Sequence, residues 1–364
     1  MTSIDGRGQS NNASVVEHRG PVPAFLGSVL KPLYTIGIAR ANKKFDRGIG
    51  VETLDIPVFS VGNLTVGGTG KTPMVIYLVR ELQRLDIRPC IAMRGYGATP
   101  GMPSDEQDEY TRALPEVPVI AQPDRINGIR HLLASERGQD IDCVVLDDGF
   151  QHRQIARDCD IVLIDASKPI HRDSLLPKGW MREPISSLKR ADVIIMTRVQ
   201  DAVELDEAFG AVRQHAPDVT PVRASNTWTE CIVNENNTDM ARPVSWLSDK
   251  SVFVVAGIGN PSSFLRQCEQ HTTSIAGSMM LRDHNPYENA TVLQLIDCAA
   301  KSSADCILTT DKDWSKLRHV QSSRWPCPVV RPIVGMQLDN PGVLTQHILS
   351  VFERARAATK PLSG

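Results

Sequence analysis

The stretch VGNLTVGGTGKTP, at residues 61–73, constrains the fold more than any other part of the sequence. It follows an apolar run, IPVFSV, and precedes PMVIYLVRELQRL, whose apolar residues recur at helical spacing. A strand, a glycine-rich loop and a helix in this order are typical of a phosphate-binding loop, or P-loop. The strict pattern G-x-x-x-x-G-K-[ST] requires glycine where this chain has Thr65, but Gly67 and Gly68 supply the tight turn. We therefore predict a nucleotide site here.

The loop residues have distinct predicted roles. Backbone N–H groups of the glycines, together with the helix N-terminus, can surround phosphate oxygens. Lys71 is expected to contact the β- and γ-phosphates during catalysis, and Thr72 to bind Mg²⁺. The predicted nucleotide-binding residues of the loop are Thr65, Val66, Gly67, Gly68, Thr69, Gly70, Lys71 and Thr72.

A second carboxylate source for the metal follows a later apolar run, in VVLDDGF. Asp147 and Asp148 stand at the end of this predicted strand, where an aspartate can hold Mg²⁺ or a metal-bound water. Adjacent residues of a strand point to opposite faces, so we expect only one of the two to reach the metal directly. The sequence alone leaves open which one.

Short apolar runs rich in β-branched residues alternate with helical patterns from residue 56 onward. The runs are IPVFSVGN, RPCIAMRGYG, VPVIA, DCVVLDDGF, DIVLIDA and ADVIIMTR. Continuous apolar strands alternating with helices predict a mostly parallel sheet that is covered by helices on both faces. The predicted fold class is α/β, P-loop nucleoside-triphosphate hydrolase-like, with a second, smaller α/β domain. Ligands of such sheets bind at the carboxyl ends of the strands.

Changes in composition suggest five segments along the 364 residues. We predict a disordered N-terminus (1–20), an amphipathic helical segment that associates with a membrane (21–50), a P-loop domain (51–235), a linker (236–250), and a smaller α/β domain with a C-terminal helix (251–357). The first twenty residues lack the apolar core of a signal peptide. A net charge of −2 gives no overall attraction to nucleic acid, and we expect a monomer that binds none.

The 21–50 segment has an apolar helical pattern followed by a basic cluster, although Pro32 is expected to kink or divide the helix. The basic residues are Arg40, Lys43, Lys44 and Arg47. Such a helix suits the surface of an anionic membrane. The alternative is a helix packed on the domain, with a solvated basic end.

Two classes of function compete for this P-loop: a nucleotide-driven switch or partner-loading ATPase, and a kinase acting on a small or lipidic acceptor. A GTPase should carry an N-K-x-D-like guanine reader, but the corresponding place reads MTRVQD. Arginines near predicted strand ends suit an anionic acceptor through bidentate pairing. They are Arg94, Arg125, Arg153 and Arg182. Together they favour the kinase.

Several motifs in order resemble the tetraacyldisaccharide 4'-kinase family of lipid A biosynthesis, from about residue 25 to 335. They are VGNLTVGGTGKTP, RGYG, VVLDDGFQHR, SLLPKGWMREP, VAGIGNPSSF, the RDH of LRDHNPY, and TTDKDW. The residue at the Thr65 position also departs from the strict P-loop pattern in that family. The resemblance implies transfer of the γ-phosphate of ATP, with Mg²⁺, to the 4'-hydroxyl of an acylated glucosamine disaccharide 1-phosphate, giving lipid IVA. It also implies a peripheral enzyme on the cytoplasmic face of the bacterial inner membrane, which favours membrane contact by the 21–50 segment.

The resemblance further implies site residues. Asp105 and His284 match an acidic residue and a histidine that act together on the acceptor hydroxyl. Ser104 and Gln107 depart from the family pattern around Asp105, so Asp108 is an alternative to it. Because Asp105 and His284 fall in different predicted domains, we expect domain closure to complete their site. Residues expected to line the nucleotide or acceptor pocket are Asn63, Arg94, Tyr96, Arg125, His152, Arg182 and Glu183.

Overall fold

The computed structural model describes residues 20–95, 104–168, 170–259, 261–283 and 285–359. They form two compact units. The first contains the described residues up to Ala224 together with those from Leu338 onward, and the second is Ser225–Gln337.

The helices are α1 (Ala24–Asp46), α2 (Lys71–Arg84), α3 (Asp105–Ala113), α4 (Arg125–Leu133), α5 (Leu205–His215), α6 (Pro261–His271), α7 (Asn289–Ser302), α8 (Asp311–Leu317) and α9 (Pro341–Thr359). The strands are β1 (Val58–Asn63), β2 (Pro89–Met93), β3 (Val119–Ala121), β4 (Cys143–Asp147), β5 (Cys159–Asp165), β6 (Val193–Thr197), β7 (Val222–Glu235), β8 (Thr238–Arg242), β9 (Ser251–Ala256), β10 (Ser274–Met280), β11 (Cys306–Thr309) and β12 (Val329–Leu338).

The sheet of the first unit has the strand order β7-β6-β5-β1-β4-β2-β3, with parallel pairing throughout. Every residue of β1, β2, β4, β5 and β6 is buried, as expected for parallel strands covered on both faces. Because β1 lies between β5 and β4, the loop after β1 stands at the middle of the carboxyl edge. The predicted α/β class and the mostly parallel sheet are confirmed.

Helix α2 packs on this sheet through the apolar stripe that its sequence predicts. Met74, Val75, Leu78, Val79 and Leu82 are all buried on this helix. Their spacing of three and four residues places them on one face. The stripe fixes the direction of α2 and therefore the position of the loop that precedes it.

In the second unit, β10, β9, β11 and β12 pair in parallel in that order, and β7 pairs with β8 in antiparallel fashion. Val252 and Val254 of β9 belong to one buried cluster, and Phe253 and Val255 to another. Alternate side chains of the strand therefore face opposite layers of helices.

The division of the chain differs from the one expected from sequence. Helix α9 belongs to the first unit and not to the smaller one, because its apolar face packs there. The ring of Phe352 lies 6.1 Å from that of Phe59 on β1, and Thr345 donates to Glu81 of α2 at 2.7 Å. The expected linker at 236–250 contains β8, which completes a hairpin with β7. The segment 1–20, expected to be disordered, lies outside the described residues except for Gly20.

Helix α1 runs unbroken through Pro32. Its N-terminal half exposes large apolar side chains, with 78% of Phe25, 57% of Val29 and 69% of Leu33 accessible. Among the helices of the described ranges, none has the length and apolar content needed to cross a bilayer.

Candidate active site at the carboxyl edge of the first sheet

The P-loop joins β1 to α2 with two glycines in the left-handed region. Gly67 has φ +117° and Gly70 has φ +91°, which favour glycine over residues with a Cβ. Gly70 is the N-cap of α2, and no side chain caps the first turn. The N–H groups of that turn can therefore bind an anion at the positive end of the helix dipole.

Polar side chains at the ends of two strands, β1 and β6, hold the loop in place. Asn63, the last residue of β1, is fully buried and donates from Nδ2 to Thr69 Oγ1 at 2.8 Å. Thr197, at the end of β6, donates to the Thr69 carbonyl at 3.0 Å. The predicted nucleotide residues Asn63 and Thr69 thus shape the loop.

The first half of the loop pairs with a segment more than 100 residues later. The Val66 N–H donates to the Trp180 carbonyl at 2.8 Å, and the Arg182 N–H donates to the Leu64 carbonyl at 2.7 Å. Between them, Thr65 and Met181 form an antiparallel bridge. This pairing brings Arg182 to the P-loop.

Asp148 is the centre of a cluster of positive charges. Arg182 Nη1 donates to both Asp148 carboxylate oxygens, at 2.8 and 2.9 Å, and Lys71 Nζ lies 3.6 Å from Oδ1. The Asp148 backbone is left-handed, with φ +50°, and its carbonyl accepts from the buried Arg125 at 3.5 Å. Burial acts to raise the Asp148 pKa, but Lys71 and Arg182 outweigh it and hold the pKa below its usual value.

Asp147 has the opposite environment. It is 4% exposed, and its Oδ1 makes no hydrogen bond with the residues that the structure describes. Burial, assisted by the charge of Glu106, raises the Asp147 pKa to about 6. Because burial outweighs the attraction of Lys71, the Asp147 carboxylate carries a desolvation cost that a divalent cation would offset. With the Thr72 hydroxyl nearby on α2, these residues fit a Mg²⁺ site.

Tyr110 is a neighbour of this site that the sequence did not reveal. Its side chain is fully buried on α3, and burial, with the adjacent Asp147, raises its pKa well above the ordinary value. The phenol therefore stays protonated beside Asp147 and Thr72, although its oxygen makes no hydrogen bond of regular geometry. The sequence feature that could have identified Tyr110 is its place as an aromatic residue on the inner face of the helix after RGYG.

The predicted acceptor residues lie at different depths. Arg94 is exposed and Arg125 is 3% exposed. Half-buried His152 has its pKa lowered to about 4 by burial and by the charge of Arg125. Its imidazole is therefore neutral at neutral pH.

Glu183 is only 2% exposed and lies in a buried polar network. Arg190 Nη2 donates to both of its carboxylate oxygens, at 2.9 and 3.0 Å, and Gln151 and Asn42 donate to one oxygen each, at 3.2 and 2.9 Å. The sequence did not reveal the roles of Asn42, which is 141 residues from Glu183, or of Arg190, because no local pattern shows that Glu183 is buried. Gln151 lies inside the GFQH motif, and this position could have identified it as a site residue.

Two predicted site residues, Tyr96 and His284, lie outside the described residues. Asp105 is described only in its backbone, as the first residue of α3. Ser104, which replaces the expected glycine, caps this helix by accepting from the Gln107 N–H at 3.2 Å. Asp108, the alternative acid, is exposed one turn later.

Comparisons with known proteins agree on one family. A model of the family described as LpxK, tetraacyldisaccharide-1-P 4'-kinase, matches residues 24–353. A tetraacyldisaccharide 4'-kinase of Syntrophotalea carbinolica is 32% identical over 83% of this chain and 84% of its own length. One from Chlorobium phaeovibrioides is 36% identical over 72% of this chain and 77% of its own.

A solved structure is also similar. LpxK from Aquifex aeolicus, in complex with ATP, aligns with a TM-score of 0.68 at 28% identity. The alignment covers 90% of this chain and 99% of that one.

Proposed function

The chain belongs to the tetraacyldisaccharide-1-P 4'-kinase family, and from this premise we propose the acceptor, the site residues and the membrane contact of an ATP-dependent kinase of lipid A biosynthesis. The acceptor is the 4'-hydroxyl of a tetraacyldisaccharide 1-phosphate, which receives the γ-phosphate of ATP to give lipid IVA. The observation that carries this proposal is the P-loop between β1 and α2, with Lys71, Arg182 and two unlike aspartates around it.

ATP and Mg²⁺ are the cofactors. Thr72 and Asp147 would hold the metal, because Oδ1 of Asp147 is buried without a hydrogen bond from any described residue. When bound, Mg²⁺ supplies positive charge to the phosphate oxygens. Asp148 instead holds Lys71 and Arg182 in place, so that both cations can stabilise charge on the transferred phosphoryl group.

The acceptor is an anion, since it already carries a 1-phosphate. Exposed Arg94 suits direct contact with it, and Tyr96 and neutral His152 are expected to position the disaccharide. Arg125 and Glu183 are buried, so their contribution would come through the groups they hold. A sugar hydroxyl needs a proton acceptor, and Asp105 with His284 remains our proposal for that role.

Helix α1 is proposed to lie on the cytoplasmic face of the inner membrane. Its exposed apolar residues Phe25, Val29 and Leu33 can enter the boundary between headgroups and acyl chains. The basic cluster Arg40, Lys43, Lys44 and Arg47 can add about 1 kcal/mol per residue on an anionic surface. This arrangement would bring the enzyme to an acceptor that is itself a lipid.

The deciding experiment supplies ATP, Mg²⁺ and the lipid disaccharide 1-phosphate in detergent and analyses the product by mass spectrometry. We expect one added phosphate at the 4' position, and none when the acceptor lacks the 4'-hydroxyl. Hydrolysis of ATP without acceptor should be slow. Strong stimulation of hydrolysis by a protein partner, with no phosphorylated lipid, would instead favour the switch or loading ATPase.

Membrane contact has a separate test, by sedimentation with anionic vesicles at low salt. Neutralising the four basic residues of the cluster, each to glutamine, should weaken binding. Neutralising four exposed basic residues elsewhere is the matched control and should not. Equal binding by the two variants would contradict the proposed orientation of α1.

A further inference from the structure

The C-terminal half of α1 is tied into the polar interior of the first unit. Asn42 donates from Nδ2 to Glu183 Oε2 at 2.9 Å, and its Oδ1 accepts from Arg153 at 3.3 Å and Arg190 at 3.4 Å. Arg153 also donates to Asp46 at 2.8 Å. The same helix therefore exposes apolar side chains in one half and inserts an amide among buried charges in the other.

One branch of this network leads from α1 to the P-loop. Gln151 Nε2 donates both to Glu183 Oε1, at 3.2 Å, and to the Asn63 carbonyl, at 2.9 Å. Asn63 in turn donates to the Thr69 hydroxyl at 2.8 Å. Four successive hydrogen bonds, one of them to the main-chain carbonyl of Asn63, thus connect Asn42 to the middle of the loop.

A second branch leads from α1 to Asp148. The Tyr34 hydroxyl donates to the Arg182 carbonyl at 2.9 Å, and the Arg182 N–H donates to the Leu64 carbonyl. The Arg182 side chain holds Asp148, which lies 3.6 Å from Lys71. The main chain of Arg182 is therefore held by Tyr34 and Leu64, and its side chain is held by Asp148.

The burial of Glu183 makes the first branch sensitive to single changes. Its carboxylate is 2% exposed, so water cannot replace a lost donor. Removing one partner of a buried charged group costs more than the net value of the hydrogen bond, because the other partner stays desolvated. Loss of the Asn42 amide should therefore shift the segment at 182–183 instead of leaving it in place.

We propose that Asn42 and Tyr34 are positioning residues for phosphoryl transfer, and that the seating of α1 sets the geometry of Arg182 at Asp148 and of the P-loop. Neither residue is among those proposed above to bind ATP, Mg²⁺ or the acceptor. The helix proposed to contact the membrane is thereby also part of the scaffold of the active site. This inference rests on the kinase reaction proposed above, but it does not require membrane binding.

The test compares Asn42→Ala with Thr35→Ala, a truncation on the same helix whose hydroxyl donates only to the Lys31 carbonyl of α1. Asn42→Ala should lower kcat about tenfold in detergent, the value of one hydrogen bond to a charged group. The KM for ATP should change by less than about twofold, because positioning acts in the transition state. Sedimentation with anionic vesicles should match the wild type.

A readout independent of activity is hydrogen–deuterium exchange. In Asn42→Ala, exchange should rise at residues 64–70 and 180–183 and stay unchanged in β9 of the second unit. The double variant Asn42→Asp with Glu183→Gln reverses donor and acceptor and keeps the net charge. It should recover most of the lost kcat if Glu183 serves only to position its neighbours.

Three results would overturn the inference. They are equal kcat for Asn42→Ala and Thr35→Ala, a rise in exchange throughout the chain, and a double variant no better than the worse single one. If the wild type gives no 4'-phosphorylated lipid, the proposed function fails, and the local exchange of the two loops still tests the link to α1.

Discussion

Replacing Asp147 by asparagine should stabilise the nucleotide-free protein at pH 8, even though the change removes a proposed metal ligand. Asp147 is buried, and its pKa is raised from 3.8 to about 6. A shift of this size corresponds to about 3 kcal/mol of free energy that opposes folding when the carboxyl is ionised in both states. Asparagine has nearly the same shape and no charge to desolvate.

The sign of the pH dependence follows from proton linkage. Between pH 3.8 and about 6 the folded state keeps the Asp147 proton that the unfolded state has lost, so wild-type stability falls as the pH rises. Above pH 6 the full penalty is present, and below pH 4 it is absent. The free energy of unfolding of Asp147→Asn, relative to wild type, should therefore increase by about 3 kcal/mol from pH 4 to pH 8.

Urea denaturation followed by circular dichroism, with EDTA and without nucleotide, measures this difference. Asp148→Asn is the matched control, because Lys71 and Arg182 outweigh burial and lower the Asp148 pKa. A carboxylate with a lowered pKa stabilises the fold above its unfolded pKa, so this variant should be less stable at pH 8, with a loss that shrinks in acid. The reasoning would be refuted if both variants changed the free energy of unfolding at pH 8 in the same direction. It would also be refuted if the effect of Asp147→Asn did not depend on pH.

Three further predictions concern turnover and packing. Lys71→Ala should lower phosphoryl transfer by at least about 10²-fold with an unchanged circular dichroism spectrum, since this lysine supplies charge at the γ-phosphate. Asp105→Ala and His284→Ala should each lower turnover by roughly 10²–10⁴, the range for general base catalysis, with ATP affinity preserved in fluorescence titrations. Gly62→Ala should destabilise the protein by about 1–3 kcal/mol in thermal unfolding, because its Cβ would lie 2.5 Å from Phe150 Cβ.

Each of these has its own control. Near-normal activity of Lys71→Ala would exclude the P-loop assignment. If Asp108→Ala is inactive and Asp105→Ala is not, the acid lies one turn further along α3. The Gly62 result is compared with Gly37→Ala in the interior of α1, where an added Cβ meets no atom within 4 Å. Because alanine has the higher helix propensity, this control should not destabilise the protein and should raise its stability by up to about 1 kcal/mol.

The local sequence predicted the centre of the first unit correctly. Strand β1, the glycine-rich loop and α2 are contiguous, and each is specified by neighbours in the chain: an apolar run, glycines and a stripe of period 3.6. The same holds for β4, which ends at Asp147 and is followed by Asp148. Parallel pairing then follows from the alternation of strands and helices.

Contacts between distant residues decided the rest. The sequence VLDDG presents two equal carboxylates. The fold brings Lys71 and Arg182 to Asp148, and it leaves Asp147 Oδ1 without a hydrogen bond from the described residues. Helix α9 follows the second unit in the chain but packs on the first, where Phe352 meets Phe59 of β1 and Thr345 donates to Glu81 of α2. The sequence suggested that Glu183 lines the nucleotide or acceptor pocket. In the structure its carboxylate is instead bound by Asn42 and Arg190. Periodicity and turn chemistry act over a few residues, whereas burial and charge pairing depend on which distant side chains the fold brings together.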